Sequence, residues 1–272
     1  MERFLLMIMF VALVIVFLFL SKKIADVITR FDDDTQIRQN ENIAVALRRF
    51  GIFVGTCVAL EVLVADVSSY RDAAIFCIYA VIAVAVFFAA HFINDFIIIP
   101  KICNNELIKG GNISTGIIEA GAFIATGMLL NGAFSGYIGG ILSAVIFFFL
   151  GQIFMIAAIY VHEKIYRFDV VQCVKESNMS AGITVAGLLV AYSIILRASI
   201  AGDFTGWIDS LTSFALSAAS GMIALILFER IGTLIFLPKT SIGDAIRSGN
   251  TAVVVLVQGI TIALSLIISQ MI

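Results

Sequence analysis

Two charges stand where the chain is otherwise apolar. Arg49 and Glu119 each lie seven residues after an asparagine, Asn42 and Asn112, inside stretches that read as membrane-crossing helices. At 1.5 Å per residue that is about 10 Å along a helix, where an ionisable side chain is costly and marks a functional candidate. Opposite signs at one depth point to an intramembrane charge pair between Arg49 and Glu119, either a structural bridge or a gate or ion site. The corresponding positions farther along hold Val185 and Val257. Nineteen residues after the same kind of asparagine stand Glu61, Asn131, Arg197 and Ser269. They read either as interfacial helix ends or as an outer polar ring at an external mouth. His91 and Asp95 have the i, i+4 spacing of a proton relay or metal site, but two residues are a thin ligand set. His162, Glu163-Lys164 and Glu229-Arg230 read as interfacial anchors at helix ends that snorkel toward water. No nucleophile elbow, phosphate-binding loop, dinucleotide fingerprint or HExxH is present. No catalytic residue, cofactor or metal is expected, and an enzyme is the least expected class.

The elements that must position these groups are set by a recurring frame. Asn42–Gly51 (NIAVALRRFG) returns at Asn112–Gly121, Asn178–Gly187 and Asn250–Gly259, with steps of 70, 66 and 72 residues. Each asparagine follows a short polar or amphipathic segment such as 241–249 (SIGDAIRSG), in which Ser241 and Asp244 have capping-box spacing. Asparagine is among the best helix N-caps, so Asn42, Asn112, Asn178 and Asn250 read as four caps. The alternative reading adds function: four positive helix ends lining one cytoplasmic vestibule that favours an anion or lipid headgroup. Small residues recur four positions beyond the glycine, giving the pairs Gly51/Gly55, Gly121/Ala125, Gly187/Ala191 and Gly259/Ala263. Ala44, Ser114, Ser180 and Ala252 lie seven residues before it. Steps of seven and four stay on one helix face and make a packing stripe that brings backbones close. The even helices are therefore expected inside the bundle. The odd helices, with Phe147-Phe148-Phe149, are expected outside.

Composition agrees with lipid as the solvent. The chain has 272 residues, 61% hydrophobic and 13% charged, against about 25% charged in soluble domains. Apolar runs at 4–20, 73–90, 138–161 and 211–228 are each near or above the ~18–20 residues that span hydrocarbon. The first lacks a basic n-region and a small-residue cleavage site and reads as a retained helix. Adding the four frames gives eight spans, roughly 4–24, 42–65, 73–99, 112–134, 138–162, 178–200, 211–237 and 250–271. The loops before the frames and their flanks hold fourteen Lys/Arg and the other side three, Arg3, Arg71 and Arg197. The positive-inside rule puts those loops in the cytoplasm and both termini outside. Cys57, Cys77, Cys103 and Cys173 form no ligand cluster and read as small apolar fillers. A net charge of −2 carries no nucleic-acid footprint.

The frames also pair. Arg30-Phe31-Asp32 precedes Asn42 as Arg167-Phe168-Asp169 precedes Asn178. Pro100-Lys101 precedes Asn112 as Pro238-Lys239 precedes Asn250. The chain reads as an all-α polytopic membrane bundle of two tandem four-helix units, 1–137 and 138–272, with hairpins related by axes along the membrane normal. The polar short helix, the Asn, the Gly nine later and the Gly or Ala four after that resemble the YjfL-like bacterial inner-membrane proteins, the family of domain of unknown function 350. That resemblance covers nearly the whole chain. It implies a helical inner-membrane protein, supplies no catalytic residue, and links some members to membrane-stress partners.

Two functions follow as expectations. The first is a structural or partner-binding protein, linked to envelope stress, whose cytoplasmic loops, above all 31–41, meet a peripheral protein or anionic lipid headgroups. The alternative is an ion or small-solute channel or transporter along the pseudo-symmetry axis. Between Glu119 and Asn131 only Thr126 is polar, which weighs against a wet pore.

Overall fold

The computed structural model describes the backbone of residues 2–29, 31–65, 69–98, 104–136 and 140–272, and their side chains except those of 2, 65 and 93–98. Arg30, Pro100, Lys101 and Cys103 lie outside the described residues. The described residues contain no strand. Eight long helices are apolar enough to cross a membrane: α1 (Glu2–Thr29), α3 (Ile43–Ala65), α4 (Asp72–Ile98), α6 (Ile113–Phe134), α7 (Gly140–Tyr166), α9 (Met179–Ile200), α10 (Trp207–Phe236) and α12 (Thr251–Ile268). Four six-residue helices precede the frames: α2 (Asp33–Arg38), α5 (Asn104–Lys109), α8 (Val170–Lys175) and α11 (Ile242–Arg247). They lie on one side of the molecule, called the cap side below.

Each frame asparagine ends one helix and starts the next. The residue before it is left-handed: Glu41 (φ 49°), Gly111 (φ 84°), Ser177 (φ 56°) and Gly249 (φ 72°). That turn lets the backbone N–H of Asn112 close α5 on the Leu107 carbonyl, and the N–H of Gly111 close on that of Ile108, both at 3.0 Å, the Schellman pattern. Glycine suits such a φ at no steric cost, whereas Glu41 and Ser177 hold it despite a Cβ. The asparagine side chain then caps the following helix, accepting from Thr115 N at 3.0 Å in the case of Asn112. Ser241 opens α11 in the same way, accepting from Asp244 N at 3.3 Å.

The even helices pack in sequence order as a row: α3 on α6, α6 on α9, α9 on α12. Glycines set the spacing. A methyl group at Gly51 would sit 2.4 Å from Ala120 Cα, one at Gly55 would sit 2.3 Å from the Phe123 carbonyl oxygen, and one at Gly121 would sit 2.7 Å from Ala186 Cα. At Gly187 the neighbour is the Gln258 side chain at 2.5 Å, and at Gly259 nothing lies within 4 Å. The alanines of the frame divide in the same way. Ala125 on α6 and Ala191 on α9 are at 0% exposure and belong to the hydrophobic core. Apolar side chains surround both, so they fill space in the core and line no binding site. Helix α12 is the edge of the row, which is why its Gly259 and Ala263 are exposed.

The division into inner even and outer odd helices holds only in part. Helices α6 and α9 are 78% buried, but α12 is 33% buried and the odd helix α7 is 50% buried. The row has two open ends, and α7 lies in the groove between α6 and α9. Phe147 and Phe148 therefore point into the core, at 8% and 0% exposure, rather than outward. Helices α1 and α10 do present apolar side chains outward, among them Phe4, Ile15, Ile223 and Leu234. Lipid covers such a face at no cost. Among the described cysteines Cys57 is exposed and Cys173 buried.

The glycine contacts make a graded prediction. Gly55→Ala should lose about 1–3 kcal/mol to overpacking, whereas Gly259→Ala should melt with the wild type in detergent. Equal stability of Gly55→Ala and wild type would refute the close approach of α3 and α6.

Candidate functional site

The caps bind more than their own helices. Asn42 Oδ1 accepts from Ala44 N and Val45 N, while its Nδ2 donates to the Ile108 and Lys109 carbonyls at 3.0 and 3.1 Å. Asn112 Nδ2 donates to the Val174 carbonyl and Asn178 Nδ2 to that of Ile246, both at 2.8 Å. Those carbonyls sit at the C-terminal ends of α5, α8 and α11, where the last four lack helical partners. Each asparagine thus ties its helix to the short helix of the next repeat. Ser, Thr and Asp can cap an N-terminus, but an amide both accepts and donates. Asn250, at the edge of the row, is exposed and caps Val253 N at 3.3 Å. The four capped helices pack in sequence order, and a cavity of about 420 Å³ beside the first cap is lined by Gln36, Asn42, Lys109 and Gly111.

Beneath the first caps sits a buried charge network. Asp33 is fully buried and accepts from Arg48 Nη2 at 3.0 Å and Arg49 Nη2 at 2.7 Å. Arg49 also bonds Asp26 at 2.7 Å, and Arg48 bonds Asn105 Oδ1 at 2.9 Å. Arg48 lies over the Phe31 ring, 5.3 Å from its centroid. Lys22 pairs with Asp34. At the rim, the Lys22 hydrogen bond holds the Asp34 carboxyl below its ordinary range, and the Thr35 hydroxyl does the same for Asp32. At α11, Ser241 and then Arg247 lower that of Asp244.

The expected Arg49–Glu119 pair is not what forms. Glu119 Oε2 lies 3.9 Å from Arg48 Nε, and Arg49 turns to α1 and α2. The reason is the direction of the row. Equivalent positions point the same way around every helix, so they do not face each other across an interface. Gly51 meets Ala120, Gly121 meets Ala186 and Gly187 meets Gln258, each one frame position apart. Arg48 reaches Asn105 and Glu119 of the next repeat, and Arg49, about 100° round the helix, reaches Asp26 of α1, while both meet Asp33 of α2.

At the far end the polar positions form a chain of three. Asn131 is fully buried and donates to Glu61 Oε2 at 3.0 Å and to the Val58 carbonyl at 2.8 Å. Its Oδ1 accepts from Arg197 Nε at 2.6 Å. Ser269 bonds its own helix at Leu266 and closes no ring. At mid-depth Gln152 Nε2 donates to Thr126 Oγ1 at 3.4 Å. His91 stacks on Phe123 with centroids 4.3 Å apart, and the side chain of Asp95, its candidate partner, lies outside the described residues.

The second unit corrects the reading of His162 and Glu229 as interfacial anchors. Both are buried, at 1% exposure, with Nε2 and Oε2 3.1 Å apart. Helix α10 runs seven residues beyond Glu229 to Phe236, so Glu229 is not at a helix end. Spacing carried a signal for this: Leu225, Glu229, Gly232 and Thr233 share the buried face of α10 at i, i+4, i+7 and i+8.

Eight apolar helices, buried charge and glycine-tight packing define a multi-pass helical membrane protein in a lipid bilayer. The model of the family Domain of Unknown Function (DUF350) matches residues 1–134 and again 136–272. The chain belongs to this family and carries two tandem copies of its unit. It is 22% identical over 221 residues to the "UPF0719 transmembrane protein" of Aquifex aeolicus (strain VF5), covering 80% of this chain and 81% of that one. No solved structure gives a significant match.

Two outcomes test the site. Asn112→Ala should lose about 1–2 kcal/mol, as a cap and one of the hydrogen bonds to the Val174 carbonyl go together. Asn250→Ala should lose less, and equal losses would contradict the inter-repeat tie. Asp33→Asn removes the carboxylate shared by two buried guanidiniums, leaving Arg49 on Asp26 and Arg48 on Asn105 and near Glu119, and should cost about 1–3 kcal/mol. Asp34→Asn, at a side chain 43% exposed, should change little; denaturant unfolding compares them.

Proposed function

We propose that the chain is a non-enzymatic, structural and partner-binding protein of a bacterial inner membrane. The observation that carries this is the tie of α5, α8 and α11 to the preceding repeat by asparagine amides. Free six-residue helices are unstable. Here they form a fixed row that exposes charges of both signs, among them Arg38, Glu106, Lys109, Lys175, Asp244 and Arg247. A fixed, mixed-charge surface suits a peripheral protein. The excess of positive charge on this side supports a cytoplasmic orientation, and the kinship of the unit to bacterial inner-membrane proteins supports that membrane. A link to envelope stress is consistent with both.

The alternative is an ion or small-solute path. Its support is the buried ionisable groups of both units. Against it stand the row arrangement, which has no central axis lined by four caps, and backbone approaches too close for a channel between α3 and α6. A cavity of about 620 Å³ is lined by Phe76, Tyr79, Phe134, Phe147 and Phe214. It is lined by the far ends of the helices and by the 201–205 connection.

Replacing the exposed charges of α2, α5, α8 and α11 with serine should abolish recovery of a peripheral protein on the purified chain, with the membrane fold intact. Proteoliposomes should carry no more ion flux than empty vesicles. Flux above that background would overturn the reading in favour of the path. Retention by anionic vesicles alone would replace the protein partner with lipid headgroups.

A further inference from the structure

The second unit holds a titratable cluster that a docking platform leaves unused. Glu229 on α10 accepts at Oε1 from the hydroxyls of Tyr166 on α7 and of Thr261 on α12, the latter at 3.0 Å. His162 Nε2 lies 3.1 Å from its Oε2. His162 Nδ1 lies 3.1 Å from the Ala158 carbonyl and 3.2 Å from the Tyr192 hydroxyl on α9. All five side chains are at 5% exposure or less. Four membrane helices therefore meet in the cluster, three of them at its carboxylate.

Two features separate this cluster from a structural ion pair. The first is the countercharge. In the first unit Asp33 faces two guanidiniums, which keep their protons at any physiological pH. Among the described residues the partners of Glu229 are two hydroxyls and one imidazole. An imidazole is a cation only with a second proton, and it exchanges that proton near neutrality. An uncompensated carboxylate in apolar surroundings is costly. The neutrality of the cluster thus depends on one proton, held on His162 or on Glu229.

The second feature is that both states are hydrogen-bonded. With the proton present, Nδ1–H donates to the Ala158 carbonyl, and one hydrogen sits between Nε2 and Oε2. With the proton gone, Nε2–H donates to Glu229 and Nδ1 accepts from the Tyr192 hydroxyl. Buried polar groups need a partner, and here each state supplies one without any helix moving. The other titratable groups that face the cluster are Tyr166 itself and Arg230, exposed beside Glu229 on α10 and acting on Tyr166 through space. Helices α9 and α12 bring Tyr192 and the neutral Thr261.

We propose that Glu229, His162 and Tyr192 form a proton-binding site inside the membrane that takes up one proton per chain. The Tyr192 hydroxyl occupies Nδ1 when the proton leaves. No electron transfer or covalent step is involved: a proton arrives at Nδ1, and the Tyr192 hydroxyl releases that nitrogen.

Difference titration of the purified full-length protein in detergent, across about pH 5–8 where histidine exchanges, tests this. Wild type should take up one proton per chain more than Glu229→Gln, and the double variant Glu229→Gln/His162→Gln should show the same loss. Tyr192→Phe keeps the ring in its packing and should retain the uptake with a displaced midpoint. Superposable titrations of wild type and Glu229→Gln would overturn the site. An unmoved midpoint in Tyr192→Phe would do so too, and that comparison decides the matter if Glu229→Gln does not assemble. Neither readout depends on partner recovery, so the platform reading and this one fail separately.

Discussion

The structure depends on a single side-chain amide used three times. The oxygen of Asn42, Asn112 or Asn178 satisfies backbone donors at the start of one transmembrane helix. Its nitrogen satisfies a carbonyl at the end of a short helix one repeat later. Helix-start donors are costly near hydrocarbon when unpaired, and the carbonyls of Ile108, Val174 and Ile246, each already bonded to one turn N–H, have a second lone pair to fill. One residue meets both needs and, in doing so, fixes the distance between neighbouring repeats. The small-residue stripe then has to match that distance, which is why a Cβ at Gly51, Gly55 or Gly121 would collide with the next helix. Ala125 and Ala191, farther along the same stripe, already carry a Cβ and are enclosed completely.

A tie from each repeat to the next gives the row a direction, and a directed row has ends. Every interior helix has one face shaped for its predecessor and one for its successor. Helix α12 keeps the successor face, with Gly259, open. In the first unit the predecessor side of α3 is filled instead by α1 and α2. Arg49 meets Asp26 and Asp33 there. The charge network is thus a local answer to the end of the row, placed where the third and fourth repeats have valine.

This explains what can be read from the sequence. Eight spans, four caps, the short helices and the tandem units follow from periodicity and from the Asn–Gly frame, which are local signals. Facing relations are not local. The frame gives Arg49 and Glu119 one position, but equal position is not contact. Contact runs between different positions because repeats related by translation along a row present unlike faces to each other. Phe147 and Phe148 escape for a similar reason, since an apolar residue is equally acceptable to lipid and to core. His162 and Glu229 look like helix ends only while the length of α10 beyond Glu229 is left out of account.

The two units answer one physical problem differently. Each places a carboxylate among membrane helices, and each has to neutralise it. The first uses guanidiniums, so Asp33 has permanent counterions. The second uses an imidazole and hydroxyls, so Glu229 has a conditional counterion. The second unit has Thr184 and Val185 where the first has Arg48 and Arg49 and draws its counterion from α7: His162, whose Nδ1 has an acceptor on one side and the Tyr192 hydroxyl on the other, is a group with a satisfied partner in either protonation state. That symmetry of outcomes is unnecessary for holding helices together. It is what a site needs if its charge is to change while its packing does not.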